Sequence, residues 1–280
     1  MNETRGNIEI SDEELHSLTD AIQQRHGIDF SCYEVKSLRR RLTRTLSVFN
    51  LESIHELWMK ILREQEFIYP FMDEISVGLT SLFRDSSLWK ALEKKVLLEY
   101  TKKEKPLSIW HAGCSTGEEV YSMGILLQEL NIQDNTKAWA TDISNKSLKI
   151  AQDGEYHRMK FAEYNKNLNE YKLNRNLDKF TEPETLPNHF KLKRSLISHV
   201  TWEHHNLISD EFTKKFDIIF CRNVMIYFDV NSKIKLFKKF YNSLNPGGIL
   251  IIGFYDAVLP FIDSIDFEIL DIDSKIFIKK

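Results

Sequence analysis

Two acidic residues, Glu118 and Glu119, open a helical pattern directly behind the loop Gly113-Cys114-Ser115-Thr116-Gly117, and the apolar run Ile109-Trp110-His111-Ala112 leads into that loop. An apolar strand that turns through two glycines into a helix presents backbone N–H groups and a small-residue cavity at the carboxyl edge of the strand. In open α/β sheets nucleotide-like ligands bind there. Three chemistries compete for the loop. Gly113-Cys114-Ser115-Thr116-Gly117 fits G-x-S-x-G, the nucleophile elbow of serine hydrolases, with Ser115 as nucleophile. Ser115 and Thr116 also suit a plain tight turn whose small polar residues satisfy free N–H groups. The third reading is a cofactor loop. Glu118 and Glu119 would repel a pyrophosphate at the helix start, whereas a cationic or zwitterionic ligand such as S-adenosylmethionine (SAM) suits them.

The elements that must position this loop are legible downstream. Lys137-Ala138-Trp139-Ala140-Thr141-Asp142 reads as a second strand ending in Asp142, with a helix from near Ser144. An acid at that place, roughly 20–30 residues past the glycine loop, can accept hydrogen bonds from both hydroxyls of a ribose; an Asp there also serves as a helix cap. A third strand spans 199–203 and leads to His204-His205-Asn206-Leu207. The apolar run Phe216-Asp217-Ile218-Ile219-Phe220-Cys221 is a fourth, and Asn245-Pro246-Gly247-Gly248 turns into a fifth over 249–253. Strand alternating with helix implies a parallel sheet with right-handed crossovers, an α/β Rossmann-like architecture. A closing hairpin is expected over 267–270 and 275–278. The hydrolase reading fares poorly against this layout, because several strands precede the elbow in that fold, whereas the residues before Ile109 read as helical. Acids just after the elbow would also disfavour an oxyanion. Adjacent His204 and His205 point to opposite faces of a strand and make no metal pair, and no metal is expected.

The residues A-G-C-S-T-G-E-E with Tyr121-Ser122, T-D-I-S around Asp142, F-C-R-N-V-M-I-Y-F-D at 220–229, and Leu79-Thr80-Ser81-Leu82-Phe83-Arg84-Asp85 together resemble the CheR chemotaxis receptor methyltransferases, SAM-dependent protein-glutamate O-methyltransferases. The resemblance spans about residues 10–255. It implies a class I SAM methyltransferase sheet, a helical N-terminal domain and a small β-subdomain insert. It implies that Glu119 contacts the methionine or ribose end of SAM and that Asp142 holds the ribose. Asn206 and Leu207 then flank the adenine, and Asn223 and Val224 lie beside the methionine part, with Gly113 in the loop. Thr80 and Arg84 close over the methionine end, and Tyr227 lines the methyl-transfer site. A glutamate with a reference pKa of about 4.3 is already a carboxylate at neutral pH, so it attacks the sulfonium methyl group without a general base. Orientation and exclusion of water are what remain for the protein. Arg84 suits a tether for a carboxylate, because its guanidinium fork stays charged; holding the cofactor's own carboxylate is the alternative. Asp142→Ala and Arg84→Ala are both expected to leave the fold intact. The sequence departs from the family at Gly78, where Asn is usual, at Leu82 in the F-F-R run, and at Gly253-Phe254-Tyr255-Asp256, where G-H-S-E is common. A SAM-binding signalling protein that does not methylate, or one with a substrate other than a chemoreceptor, is the alternative function.

Composition bounds the rest. With 280 residues the chain can bury a good core and form two domains. The net charge of −3 carries no global signature of nucleic-acid binding. Cys32, Cys114 and Cys221 lie far apart, which speaks against disulfides or zinc and fits a reducing cytoplasm. Met1 to Arg5 lack the apolar core of a signal peptide, and no apolar run approaches a membrane span. The expected organisation is a helical domain over 1–75 for substrate docking, a linker and active-site segment over 76–90, and a SAM-binding α/β domain over 91–280 with its insert near 154–200. Ser11 and Glu14 form a capping box, Leu15, Leu18 and Ile22 follow as an apolar stripe, and Gly27 is a stop. A second helix presents Val35, Leu38, Leu42, Leu46 and Phe49 on one face. It also carries Lys36, Arg39, Arg40, Arg41 and Arg44, a solvated face or a docking surface for the glutamate-rich cytoplasmic domain of a methyl-accepting receptor. The family uses this helix for substrate contact; DNA or RNA binding from one basic helix is the lesser option. The resemblance implies a cytoplasmic monomer, without nucleic acid or membrane insertion, that converts SAM to S-adenosylhomocysteine (SAH).

Overall fold

The computed structural model describes residues 10–26, 28, 30–31, 33–75, 80–102, 105–183, 187–254, 256 and 266–280. Met1 to Arg5, Gly27, Cys32, Gly78 and Tyr255, on which parts of the sequence reading rest, lie outside them. The described chain forms two compact units: residues up to 75 with Tyr227–Lys233, and residues 80 to 226 with 234 to 280.

The first unit is helical. Its helices are α1 (Asp12–His26), α2 (Val35–Val48), α3 (Ile54–Arg63) and α4 (Ile68–Ile75). The capping box at the start of α1 forms as the sequence requires. The Ser11 N–H donates to Glu14 at 2.9 Å, and the Glu14 N–H donates to Ser11 Oγ at 3.2 Å. Glu34 caps α2 by accepting from the Lys36 and Ser37 N–H groups, and Ser53 caps α3 through the Glu56 N–H. Leu15, Leu18 and Ile22 bury against α3 and its Leu57 and Ile61, while Leu38, Leu42 and Leu46 form the inner stripe of α2. Val35 departs from the expected stripe. It is exposed because it is the first residue of its helix, one turn before the packed face begins.

Arg41 departs from the expected basic docking face. It is 4% exposed, donates to the Ile75 carbonyl, and lies with its guanidinium 3.7 Å from the centre of the Tyr227 ring. Within this unit Tyr227 is held by the Glu34 N–H, which donates to its carbonyl at 2.9 Å, and by the neighbouring bridge of Tyr33 with Phe228. The rest of the basic set divides. Lys36, Arg40 and Arg44 are exposed, whereas Arg39 is half-buried and paired with Asp12.

The second unit opens with α5 (Ser86–Leu92), which passes through a π-helical stretch (Glu93–Leu97) into α6 (Leu98–Tyr100). A seven-stranded sheet follows. Its strands are β1 (Leu107–Ala112), β2 (Thr136–Asp142), β5 (Val200–His204), β6 (Phe216–Cys221), β7 (Leu244–Ile252), β8 (Phe267–Asp271) and β9 (Ile276–Lys279), in the order β5-β2-β1-β6-β7-β9-β8. The first five are parallel; β9 and β8 close the edge antiparallel as the expected hairpin. β1 and β6 are almost wholly buried, which is why they read as continuous apolar runs rather than alternating ones. Helices α7 (Glu118–Glu129), α8 (Asn145–Asp153) and α10 (Val230–Ser243) make the crossovers. Between α8 and β5 the insert holds a separate antiparallel pair, β3 (Glu155–His157) with β4 (His189–Lys191), and the helix α9 (Phe161–Tyr171). The Tyr- and Asn-rich composition of that segment did not signal α9. Asn245-Pro246-Gly247-Gly248, expected as a turn before the fifth strand, is the irregular start of β7, where the register with β6 shifts.

Candidate active site

The chain leaves β1 toward β2 on one side and returns through β6 on the other, so the carboxyl ends of β1 and β6 flank a topological switch point. Gly113 ends β1 with φ of +81°, and a Cβ there would come within 2.6 Å of Val224 Cγ2 on the turn after β6. Glycine is therefore needed twice over, for the left-handed backbone and for the close approach of the two turns. The Gly113 and Cys114 N–H groups both donate to the Thr141 carbonyl, fastening the loop to β2.

Asp142 stands at the end of β2, in register with His204 of β5. Its Oδ2 accepts from the Ser115 N–H at 2.8 Å and its Oδ1 from the Ser144 N–H at 2.9 Å. Burial raises its pKa above the ordinary carboxylate value, against the pull of those donors. The Ile143 N–H also favours the charged form, and a carboxylate offers about four lone-pair sites, so Asp142 keeps capacity to accept from a ligand hydroxyl. The helix cap next door is Ser144, not Asp142.

Glu118 and Glu119 turn to opposite sides. Glu119 Oε1 meets His111 Nδ1 at 2.9 Å, and Oε2 accepts from Arg222 at 3.3 Å. Burial alone would raise the Glu119 pKa, but His111 and Arg222 outweigh it and hold the group below its ordinary value. Arg222 also donates to Asp85 at 2.6 Å and to the Arg84 carbonyl at 3.3 Å. It thereby ties the Thr80–Arg84 segment to the end of β6. Arg222 thus holds both Asp85 and Glu119, the two acids that the sequence offers Arg84 as partners in a surface ion pair. Neither Arg222 nor His111 carries a functional mark in the sequence. The C-R-N run carried Arg222 in plain sight, but an Arg at a strand end gives no sequence sign of being 5% exposed.

After β5, the Asn206 side chain accepts from the Ile208 and Ser209 N–H groups, and Lys239 donates to the carbonyls of Leu207, Ile208 and Asp210. Leu207 is buried. Ser115 Oγ is buried and makes no hydrogen bond, so the hydrolase reading lacks the base that would activate its nucleophile. Cys114 and Cys221 are buried, free thiols whose pKa burial pushes well up, which makes them inert. No cluster of metal-ligating side chains occurs among the described residues.

Among the described residues the strand ends carry the anchored Asp142 carboxylate and the ionised Glu119, hydrogen-bond acceptors that suit a zwitterionic nucleoside better than a phosphate. Residues 78–275 match the family model for the CheR methyltransferase SAM binding domain, and residues 13–76 match that for the CheR methyltransferase all-alpha domain. The chain belongs to the CheR methyltransferase family. It is 31% identical over 249 residues to the putative methyltransferase Cher3 of Pseudomonas putida, covering 89% of this chain and 90% of that relative. The chemotaxis protein methyltransferase of Borreliella burgdorferi is 31% identical over 266 residues, covering 90% of each. That of Listeria innocua is 28% identical over 242 residues, covering 86% of this chain and 88% of the relative. The chain is therefore a SAM-dependent methyltransferase, and Arg222, His111 and Asp256 join the candidate residues of this CheR-family site.

Asp256 stands where the family often has Glu. Its Oδ2 accepts from the Asn223 and Gly253 N–H groups at 2.7 and 2.8 Å, and its Oδ1 from the Ile226 N–H at 3.0 Å. Gly253 permits this, because a Cβ there would lie 2.5 Å from the Asn223 nitrogen. Asn223 itself sits at φ of +58°, a turn that Asp256 holds in place. Burial raises the Asp256 pKa to about 6, against its three N–H donors. Protonation removes the charge and one acceptor site from those three donors and so loosens the turn; SAH affinity should fall as pH drops through about 6. The stability of the ligand-free chain should run the other way over the same span. The folded carboxyl binds its proton more tightly than the unfolded one, so stability declines as pH rises from about 4 to about 6. Titration calorimetry between pH 5 and 8 checks the first point. Asp256→Asn at neutral pH should bind as weakly as the parent does in acid; a flat profile in the parent would remove Asp256 from the account.

Proposed function

We propose that this chain transfers the methyl group of SAM to glutamate side chains on the cytoplasmic domain of a methyl-accepting chemoreceptor, leaving SAH and a glutamate methyl ester. The observation that carries the cofactor half of this reading is the acid arrangement at the strand ends. Asp142 is anchored by two N–H groups with lone pairs to spare, and Glu119 is kept ionised by His111 and Arg222. The substrate half is supported by the names of the relatives and by the exposed part of α2. Lys36, Arg40 and Arg44 there offer positive charge to a glutamate-rich partner.

In this reading Thr80, Gly113, Glu119, Asp142, Asn206, Leu207, Asn223 and Val224 hold the cofactor, which supplies an electrophilic methyl on a sulfonium. The glutamate carboxylate attacks in line, the carbon–sulfur bond breaks, and its electron pair returns to sulfur; no proton moves. Arg84 orients one of the carboxylates, and for Tyr227 the proposal rests on the family motif alone. Among the described residues no helix is long and apolar enough to cross a membrane, and the enzyme is proposed to meet its receptor from the cytoplasm.

The test is methyl transfer from radiolabelled SAM to a purified receptor cytoplasmic fragment, read as base-labile methanol. Arg84→Ala should lower turnover at saturating SAM by about 10- to 100-fold, the range for a lost orienting contact. Unchanged turnover would remove Arg84 from the transition state. SAM binding without transfer to any carboxylate would sink the reading of this protein as a glutamate methyltransferase.

A further inference from the structure

The two stretches assigned to the cofactor, the Gly113–Glu118 loop and the Thr80–Arg84 turn, are far apart in sequence, yet both are fastened to the insert, through α9 and the β3 segment that leads into it. At one end, the Tyr156 hydroxyl donates to the Thr116 carbonyl at 2.7 Å, and the Tyr164 hydroxyl donates to Glu118 Oε1 at 2.5 Å. Lys160 reaches the same oxygen at 3.0 Å, and Thr116 Oγ1 donates to Oε2 at 2.7 Å. Glu118 has no solvent exposure, so every polar contact it keeps is with these side chains or its own backbone. One turn further along α9, the Asn167 amide donates to Ser81 Oγ at 3.0 Å and to the Leu82 carbonyl at 2.9 Å, while at the helix end the Tyr171 ring stacks on Phe83 at 4.8 Å. Phe83 and Asp85 have φ of +51° and +58°, a turn that such contacts must hold. Ser122 closes the circuit: it accepts from the Phe83 N–H at 2.8 Å and donates to the Glu118 carbonyl at 2.7 Å.

We propose that α9, with Tyr156, is a brace that sets both walls of the cofactor site, and that Tyr164, Lys160 and Asn167 are positioning residues for it. This deepens the proposed function and rests on the assignment of those two stretches to SAM. The insert then has a task in catalysis independent of anything it binds. The two sets of contacts govern different parts of the ligand. Tyr164 acts on the loop that receives the nucleoside, and Asn167 acts on the turn that closes over the amino-acid end.

Calorimetry with SAH and with methylthioadenosine, which lacks the amino-acid part, separates the two. Tyr164→Phe should weaken both ligands by about tenfold, the effect of one hydrogen bond lost from a buried carboxylate. Asn167→Ala should weaken SAH by a similar factor and leave methylthioadenosine unchanged. A purely structural loss would lower both ligands in both variants, in step with the melting temperature. That outcome, or unchanged affinities with the parent binding normally, overturns the brace. Failure of the parent chain to bind SAH would instead overturn the cofactor assignment. A cycle with Glu118→Gln adds a second readout: Tyr164→Phe should cost less affinity once the carboxylate is gone, and strict additivity would count against the proposal.

Discussion

Asp142→Ala should raise the dissociation constant for SAH by about a hundredfold or more and lower the melting temperature as well. Two hydrogen bonds from ribose hydroxyls to a carboxylate are worth about 1.5–3 kcal/mol each, so losing both costs at least tenfold per bond. The stability effect has a separate origin. The same carboxylate takes the Ser115 and Ser144 N–H groups, and Ser115 sits at φ of +51°. Alanine leaves two part-buried donors without their acceptor, at up to about 1–3 kcal/mol each before water recovers part of it. The expectation that this substitution spares the fold is therefore revised: Asp142 belongs to the loop it serves. Asp142→Asn separates the two roles, since it keeps one acceptor oxygen and loses the charge. Its amide nitrogen cannot accept from the second N–H, so it should recover only part of the stability that alanine loses, and little of the affinity. Calorimetric titration and thermal unfolding of both variants check this; an Asp142→Ala protein that binds SAH within a few-fold of the parent would refute the ribose role.

What was legible in the sequence follows from what burial does to composition. Strands such as β6, buried on both faces, are apolar runs, and the loop between β1 and α7 is marked by two glycines that the backbone requires. Those elements and the parallel character of the sheet follow from pattern alone; the order β5-β2-β1-β6-β7-β9-β8 does not. The residues that escaped notice act through partners distant in the chain. Arg222 meets Asp85 and Glu119, Asp256 meets Asn223, and Asn167 meets Ser81 and Leu82. Nothing local distinguishes a charged side chain in such a network from one in water. Arg41 shows the converse error: it sits among exposed basic residues on the helix, but at the one angular position that faces inward.

Arg222→Ala should be the most damaging single change outside the apolar core. Its side chain is 5% exposed and answers Glu119, which is 14% exposed, and Asp85, which is 43% exposed. Asp85 can turn to solvent, so most of the penalty comes from Glu119, left with only His111 in a low-dielectric site. Removing one partner of a buried pair costs about 3–5 kcal/mol. For a chain of this size that corresponds to a melting temperature lower by roughly 6–20 °C. Arg222→Lys keeps the charge but not the fork that reaches two acids and a carbonyl, and should fall between. Stability alone would not tie the effect to an orphaned charge, because truncating any large side chain leaves a cavity. A second substitution does. Glu119→Gln in the Arg222→Ala background removes the uncompensated carboxylate and leaves a carbonyl for the His111 donor. The double variant should therefore be more stable than Arg222→Ala alone, although it binds SAH no better. If the two substitutions simply add their losses in thermal unfolding, Arg222 matters for its volume and not for its charge, and Glu119 is oriented by His111 alone.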